Sequence, residues 1–395
     1  MSENKNQHRM FTGSSGGAAT AVASDTSGPT QPQAMGAAEE LIPGMREQGK
    51  GIKCYVESDY ASLKACTVGN PSSLIPPDPD TWEMSNMFAH ESDEFMAYLR
   101  KHKGKNLKDS DPKTYDTMAK ESNSLADAYR QAGVRVIRNE TGEVPNSIVD
   151  YSSSWSQQKQ FFIYSQGGFE VFGHCLVALW EVSCSMCTEF IHREAILEIM
   201  ESDPEAVWLT MPAMIPIVNR RAPGPTLSPG DVLIFDKTVV IGIGVSDPAH
   251  IKDRSKPRSS GDELGADILR RMLKPCGWKV ETVYFNSQLT YHIDCLVSLL
   301  EEGLMAYPKG SLWTPMPKEF QDWEVMDVSL DDHELGVSNN EPLGHKKIVL
   351  VKGTKSYAKN LEKRGWTCIE VPYKTLYDVF GSGIHCSTAS IWRES

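Results

Sequence analysis

Apolar and polar positions along the chain repeat one arrangement: an amphipathic segment, a glycine, and then a short apolar run. Within residues 110–133, Met118, Leu125 and Tyr129 share one face at helical spacing, and Gly133 ends the segment. Apolar strands are predicted directly after such segments at Val134–Ile137, Trp278–Tyr284 and Trp366–Val371. Helix, glycine and strand therefore form a unit that the chain uses repeatedly.

Apolar strands are also predicted before the helices of these units. They span Leu63–Val68, Val232–Phe235, Thr238–Ile243 and Lys347–Val351, and the turn Asp236–Lys237 joins two of them as a hairpin. A repeat of roughly 60–90 residues is typical of propeller-like or pseudosymmetric arrays. The pattern thus predicts an α/β fold of repeated units, with an ordinary α/β protein as the alternative.

Residues 1–50 differ from the rest of the chain in composition. They are rich in Gly, Ala, Ser, Thr and Gln and contain almost no large apolar side chains. A segment of this kind cannot bury enough apolar surface to offset the entropy lost on folding. We therefore expect a disordered N-terminal arm at 1–50 and a single folded domain at 51–395.

Composition and charge exclude several classes of protein. The chain has 395 residues and a net charge of −12, which argues against a general nucleic-acid binder. Its apolar runs fall short of the roughly 18 residues that a membrane helix needs. The N-terminus also lacks the apolar core of a secretory signal. We expect a cytoplasmic protein without nucleic-acid or membrane partners.

The nine cysteines are odd in number and widely scattered, which does not indicate a disulfide framework. Cys184 and Cys187 have the spacing of half a zinc site, but the sequence contains no second such pair, so we expect no metal. Cys386 is the more informative cysteine, because Gly381 and Gly383 precede it. A glycine-hinged loop can press a side chain into a pocket, so Cys386 is a candidate nucleophile.

His292 and Asp294 are the second candidate group. In an extended segment, side chains two residues apart point to the same side, so the imidazole and the carboxylate are expected side by side. Such a pair can act as general acid and base, and a thiol near a histidine is activated as a thiolate. With Cys386, these residues indicate covalent catalysis, in which a group moves onto sulfur and then to water or an amine.

The motif His292-Ile-Asp294 after a strand, with a terminal Gly-x-Gly-Ile-His-Cys-x-Thr, resembles the amidinotransferases of the guanidino-modifying superfamily. Relatives of that family include arginine deiminases and dimethylarginine hydrolases. Further segments that match the family are Ser62–Gly69, Pro229–Asp231, Val337–Asn340, Lys347–Val351, Thr388 and Arg393. The resemblance covers roughly residues 52–395. It implies a five-bladed, pseudosymmetric α/β propeller of the pentein type, without metal or organic cofactor.

The resemblance also implies roles for individual residues. Cys386 would be the nucleophile, His292 the general acid and base, and Asp294 the carboxylate that grips a guanidinium. The matching segments add the substrate-binding residues Asp231, Ser338 and Asn339. The implied mechanism is ping-pong: Cys386 takes an amidino group from a donor such as arginine, and an acceptor amine then removes it.

The sequence departs from the family where a guanidinium would be held. Gln166-Gly167-Gly168 replaces an acidic turn, and Ser228 replaces a second acidic residue. A guanidinium in a closed pocket needs paired carboxylates, because it is a cation with a fork of donors. Glu170 is the nearest replacement. His385 and His174 are expected to be structural, with contact to the substrate as the alternative.

Several functions therefore stay open. The first is an amidinotransferase-like transferase of specialised metabolism that acts on a small-molecule donor and an amine acceptor. The second is an N-acyltransferase of the same fold, because an acyl thioester needs no carboxylate pair. An acyl carrier protein would then be a partner, with Lys252–Arg258 as a candidate basic patch. The third is a hydrolase of the deiminase type. The resemblance also implies a homodimer.

Overall fold

Short apolar runs fold into five small β-sheets in the computed structural model, which describes residues 40–71, 74–81, 92–146, 165–180, 188–212 and 225–395. The strands of these ranges are β1 Tyr55–Val56, β2 Leu63–Val68, β3 Arg135–Ile137, β4 Phe169–Phe172, β5 Cys175–Ala178, β6 Val207–Thr210, β7 Val232–Phe235, β8 Thr238–Val245, β9 Lys279–Asn286, β10 Ser298–Glu301, β11 Leu304–Tyr307, β12 Glu324–Asp327, β13 Glu341–Gly344, β14 Lys347–Val351, β15 Thr367–Val371 and β16 Thr388–Arg393.

Four of the sheets share one design. The first two strands form an antiparallel hairpin, and the third strand lies parallel to the second; these sheets are β4-β5-β6, β7-β8-β9, β10-β11-β12 and β13-β14-β15. Two hairpins turn on Asp236–Lys237 and His345–Lys346, where all four residues have positive φ. This backbone conformation matches the twist of a two-residue hairpin.

The fifth sheet is built from both ends of the folded region. Its order is β1-β16-β2-β3, with β16 antiparallel to β2 and β2 parallel to β3. The same design thus appears a fifth time, with its first strand supplied by residues near the C-terminus. This pairing anchors the loop before β16, which carries Cys386.

Helices and long connections supply the crossovers that a parallel third strand requires. The helices of the described ranges are α1 Met45–Gly49, α2 Asp93–His102, α3 Leu107–Ser110, α4 Pro112–Gln131, α5 Arg193–Ser202, α6 Glu263–Leu273, α7 Leu330–His333, α8 Lys355–Lys363 and α9 Lys374–Phe380. Among these helices, none has the combination of length and apolar character needed to cross a bilayer.

The predicted helix–glycine–strand units are confirmed at α4–β3, α6–β9 and α8–β15. Gly133, Gly277 and Gly365 stand between helix and strand in these units, and all three have φ between 79° and 88°. Only glycine adopts this left-handed backbone without strain, which explains why it recurs at this point of the unit.

The described part of the chain from Glu40 to Ser395 forms one compact unit. Most of the predicted N-terminal arm, residues 1–39, lies outside the described residues. Its last part contains α1, which the sequence did not predict, and Met45 in this helix is fully buried. The folded region therefore starts before residue 51.

Candidate active site

Cys386 lies at the end of a short loop between α9 and β16. Gly381 ends α9 with a φ of 62°, and Cys386 follows two residues before β16. The cysteine is only 6% exposed. A side chain on Gly383 would overlap the amide of Asn339, so the loop can pass close to that residue only as glycine. The loop buries the thiol, as the glycines predicted.

Asn339 contacts Cys386 from two directions. Its Oδ1 accepts a hydrogen bond from the Cys386 backbone N–H at 3.1 Å, and its Nδ2 donates to Cys386 Sγ at 3.2 Å. The same Nδ2 lies 3.2 Å from Asp294 Oδ2. Asn339 is thus a direct neighbour of the thiol. Ser338 is 1% exposed, and its Oγ has no hydrogen-bond partner among the described residues.

Asp294 lies beside the sulfur, with Oδ2 3.6 Å from Cys386 Sγ, and is 2% exposed. The predicted extended segment was wrong here, because only His292 is extended and Ile293–Cys295 forms a 3₁₀ turn. The turn directs His292 and Asp294 to different partners. Within the described residues, Asp294 Oδ1 has no hydrogen-bond partner, so one carboxylate oxygen beside the thiol can accept from a ligand.

His292 and Asp231 are brought together through Ser260. His292 Nε2 lies 3.1 Å from Ser260 Oγ, and Ser260 Oγ donates to Asp231 Oδ2 at 2.9 Å. Asp231 is fully buried at the end of a 3₁₀ turn that Ser228 caps. The sequence singled out His292 and Asp231 separately, and it gave no sign of Ser260 between them.

Cys295 is a second thiol in the site that sequence reasoning missed. Its Sγ lies 3.7 Å from Cys386 Sγ and 3.3 Å from Asn339 Nδ2. The hydrogen bond with Cys386, burial and the charge of Asp294 raise the pKa of Cys295 well above its usual range. Cys295 therefore keeps its proton near neutral pH. The sequence could have indicated Cys295 as a site residue, because it directly follows the motif His292-Ile-Asp294.

His385 lies between two buried carboxylates. Its Nδ1 is 3.0 Å from Asp294 Oδ2, and its Nε2 is 3.8 Å from Glu341 Oε2. Burial alone would lower the pKa of His385, but Glu341, Asp294 and Asp59 outweigh it and raise the pKa to about 10. The imidazole is therefore cationic near neutral pH. Burial raises and His385 lowers the pKa of Asp294, and the net direction is downward.

Glu170 and Asp59 extend the acidic character of the site. Glu170 is 7% exposed, and its Oε1 accepts from the backbone N–H of Val171 at 3.1 Å. Burial, followed by repulsion from Asp59, raises the pKa of Glu170 to about 8. Burial raises the pKa of Asp59 to about 6, although His385 opposes this shift. The charge of His385 lowers the pKa of both carboxyl groups, so Glu170 and Asp59 lie in the electrostatic environment of this histidine.

Other predicted features fall outside this cluster. Cys184 and Cys187 lie outside the described residues. In the candidate basic patch, Arg258 is nearly buried and pairs with Glu263 at 2.6 Å, which removes one charge from the surface. His174 lies elsewhere, 3.7 Å from Glu205. The ligand atoms of Asp294, Cys295 and Cys386 lie within 4.8 Å of one another, a set that could also hold a thiophilic metal ion.

Comparison with solved structures identifies the fold. An amidinotransferase of the saxitoxin biosynthetic pathway from Microseira wollei matches with a TM-score of 0.64 and 16% identity, over 87% of this chain and 98% of that one. Inosamine-phosphate amidinotransferase from Streptomyces griseus matches with a TM-score of 0.62 and 18% identity, over 87% and 97%. Neither a family model nor a curated protein matches the sequence.

Hydrolases share the same fold. The dimethylarginine dimethylaminohydrolase from Pseudomonas aeruginosa matches with a TM-score of 0.53 and 13% identity, over 83% of this chain and 99% of that one. The chain therefore shares one fold with these amidinotransferases and hydrolases. The resemblance to amidinotransferases that the sequence motifs indicated is confirmed at the level of the fold.

Proposed function

We propose that this protein is an amidinotransferase-like enzyme that carries the transferred group on Cys386. One observation carries the proposal: Asp294 Oδ2 lies 3.6 Å from the sulfur, while Oδ1 has no hydrogen-bond partner within the described ranges. A carboxylate in this place can bind the N–H groups of a guanidinium and hold its carbon against the sulfur. Asp59, with a pKa of about 6, would supply further negative charge for the donor, and Glu170, with a pKa raised to about 8, could accept or donate a hydrogen bond.

The proposed reaction has two half-reactions. The Cys386 thiolate attacks the amidino carbon of the donor and forms a C–S bond, and the C–N bond to the donor amine breaks. His292 gives the leaving amine its proton. The acceptor amine then attacks the same carbon and releases the thiolate, and His292 takes the proton from the acceptor. The enzyme returns to its starting state after each cycle.

The proposed architecture is a five-bladed, pseudosymmetric α/β propeller that forms one catalytic domain and includes α1 as well as residues 51–395. The repeated design of the five sheets and the β16–β2 pairing support it. In such an array the connections at one end of the blades meet at a common centre. The loop before β16, the turn at Ile293–Cys295 and the residues before β13 would then converge there, which agrees with the contacts of Cys386.

A second candidate is acyl transfer through the same cysteine. It is favoured by the pairing of His385 with Asp294 at 3.0 Å, because a cationic imidazole already offsets the carboxylate charge that a guanidinium would need. A neutral acyl thioester has no such requirement. Hydrolysis of the deiminase type differs from the first proposal in both steps: ammonia leaves the carbon in place of the donor amine, and water then replaces the acceptor amine.

The adduct on the enzyme distinguishes these reactions. We would incubate the protein with arginine isotopically labelled at the guanidino carbon, or with an acyl thioester, quench with acid and measure the intact mass. A labelled adduct that maps to Cys386 supports amidino chemistry, and an acyl adduct supports the second candidate. Cys386→Ala is the control and should carry neither. Labelled citrulline or urea formed without an acceptor would identify a hydrolase.

A further inference from the structure

Ser260 links the two ends of a buried hydrogen-bonded chain that runs from Asp231 to His292. Its Oγ lies 2.9 Å from Asp231 Oδ2 and 3.1 Å from His292 Nε2. Ser260 is 9% exposed and Asp231 is fully buried. Thr226 also donates to the Ser260 carbonyl at 3.2 Å, which fixes the backbone that carries the hydroxyl. The hydroxyl is thus held in place between a carboxylate and an imidazole.

The donors and acceptors in this chain determine where the protons lie. Asp231 Oδ2 accepts from the Ser228 backbone N–H at 2.9 Å as well as from Ser260 Oγ. A hydroxyl has a single proton, and Ser260 uses it toward the carboxylate. Its oxygen must therefore accept from His292, so Nε2 of His292 carries a proton. In this tautomer Nδ1 is the ring nitrogen that gains or loses the exchangeable proton.

Two glycines leave the room that this arrangement needs. A Cβ atom on Gly230 would lie 2.5 Å from His292 Nδ1, and one on Gly261 would lie 2.6 Å from Asp231 Oδ2. Real Cβ atoms do not approach so closely, so a larger residue at either position would displace the imidazole or the carboxylate. The backbone before Asp231 and the backbone after Ser260 are therefore adapted to seat both partners.

We propose that Ser260 is a positioning residue that couples Asp231 to His292. This inference rests on the proposed role of His292 as general acid and base. Ser260 keeps the proton on Nε2 and so selects the tautomer in which His292 acts. When Nδ1 is protonated, the Asp231 carboxylate stabilises the imidazolium through the oriented O–H dipole of Ser260. No proton passes to Asp231, and each cycle leaves the chain unchanged.

The tautomer can be tested without any substrate. Ring-nitrogen NMR of the uniformly labelled protein, with His292→Gln to assign the signals, should show the Nε2–H form of His292 in the wild type. In Ser260→Ala we expect a mixture of tautomers, and in Ser260→Thr, which keeps the hydroxyl, the wild-type pattern. Ser259→Ala is the matched control, because it removes the neighbouring hydroxyl and should leave the His292 signals unchanged. Melting curves check that each variant folds.

Turnover gives a second readout if the proposed function holds. Ser260→Ala should lower kcat by about one to two orders of magnitude, a part of the roughly 10²–10⁴-fold that a positioned acid–base group contributes. KM should change little, and Ser260→Thr should recover most of the rate. Unchanged His292 signals in folded Ser260→Ala would overturn the inference. Shifted signals in a protein that transfers no amidino group would retain the Ser260 assignment and reject the proposed function.

Discussion

The amide of Asn339 grips Cys386 at both the sulfur and the backbone. Nδ2 donates to Sγ at 3.2 Å, and Oδ1 accepts from the Cys386 N–H at 3.1 Å. The hydrogen bond to the sulfur fixes the direction in which the thiol faces, and the hydrogen bond from the N–H fixes the backbone that carries it. Since one planar group makes both contacts, displacement of the Asn339 amide would also displace the sulfur.

Substitution of Asn339 should therefore affect reactivity more than folding. Asn339→Ala removes both contacts and leaves a buried N–H without its acceptor, which should cost about 1–3 kcal/mol of stability. Asn339→Asp keeps the shape but places a carboxylate against Asp294 and the sulfur. We expect slower alkylation of Cys386 by iodoacetamide in both variants, and slowest in Asn339→Asp. Equal alkylation rates in the wild type and Asn339→Asp would contradict this role of the amide.

Gly383 should tolerate no side chain, because a Cβ there would overlap the Asn339 amide. Gly383→Ala is expected to displace either Asn339 or the Cys386 loop and to slow alkylation of Cys386. Gly277→Ala is the matched control: Gly277 has a φ of 79°, with nothing within 4 Å of the added atom. It should lower stability by about 1 kcal/mol through backbone strain alone and leave the thiol reactivity unchanged.

The buried charges predict that stability falls as the pH rises. The folded-state pKa of His385 is about 10 against an ordinary 6.5, so the folded protein holds a proton that the unfolded chain loses. The stabilisation is complete below about 6.5 and disappears as the pH rises through 10. Glu170, with a pKa raised from 4.5 to about 8, acts in the same direction at lower pH.

Thermal melting of the wild type, His385→Gln and Glu170→Gln from pH 4 to 10 would measure this effect. Glu170→Gln should flatten the curve below pH 8, and His385→Gln should flatten it mainly from pH 8 to 10, where Glu170 no longer titrates. Identical slopes for the wild type and His385→Gln between pH 8 and 10 would show that His385 is not protonated in the folded state.

The sequence predicted the repeated units because their signals are local. Gly133, Gly277 and Gly365 mark helix ends by backbone conformation, and that conformation depends on the residues beside it. The polar contacts of the site are not local. Cys386 contacts Asn339, which lies 47 residues earlier in the sequence, and Asp294, which lies 92 residues earlier. The prediction that His292 and Asp294 point to the same side assumed an extended strand. It was wrong because a 3₁₀ turn at Ile293–Cys295 changes the direction of each side chain. Ser260 had no sequence signal, because a serine in a loop is common.

The two thiols of the site should form a disulfide with peroxide. Cys295 Sγ and Cys386 Sγ are 3.7 Å apart, and hydrogen peroxide would convert the two thiols to a disulfide and two waters. We expect the loss of two hydrogens in intact mass and a cross-linked peptide containing both cysteines, which Cys295→Ser would abolish. Cys175 and Cys276, 3.5 Å apart with Cys276 exposed, provide the reference pair. If the peroxide reaction is run until no more disulfide forms and only Cys175 and Cys276 are cross-linked, the prediction is wrong.

Arg393 should be the most costly single charge to remove from the fifth sheet. It is 1% exposed, forms an ion pair with Glu341, and donates to the carbonyls of Ala61 at 2.7 Å and Pro342 at 2.8 Å. Arg393→Ala would leave the Glu341 carboxylate buried beside Asp59 and without its guanidinium, a change that typically costs about 3–5 kcal/mol.

Urea unfolding measures this loss, and Lys374→Ala is the matched control. Lys374 pairs with Asp378 at 2.5 Å on an exposed helix surface, where removal of one partner should change stability by less than about 0.5 kcal/mol. The double variant Arg393→Met with Glu341→Leu removes both buried charges and should recover stability relative to Arg393→Ala, because no carboxylate is left uncompensated. A loss for Arg393→Ala no larger than that for Lys374→Ala would contradict the proposed importance of the buried Arg393–Glu341 ion pair.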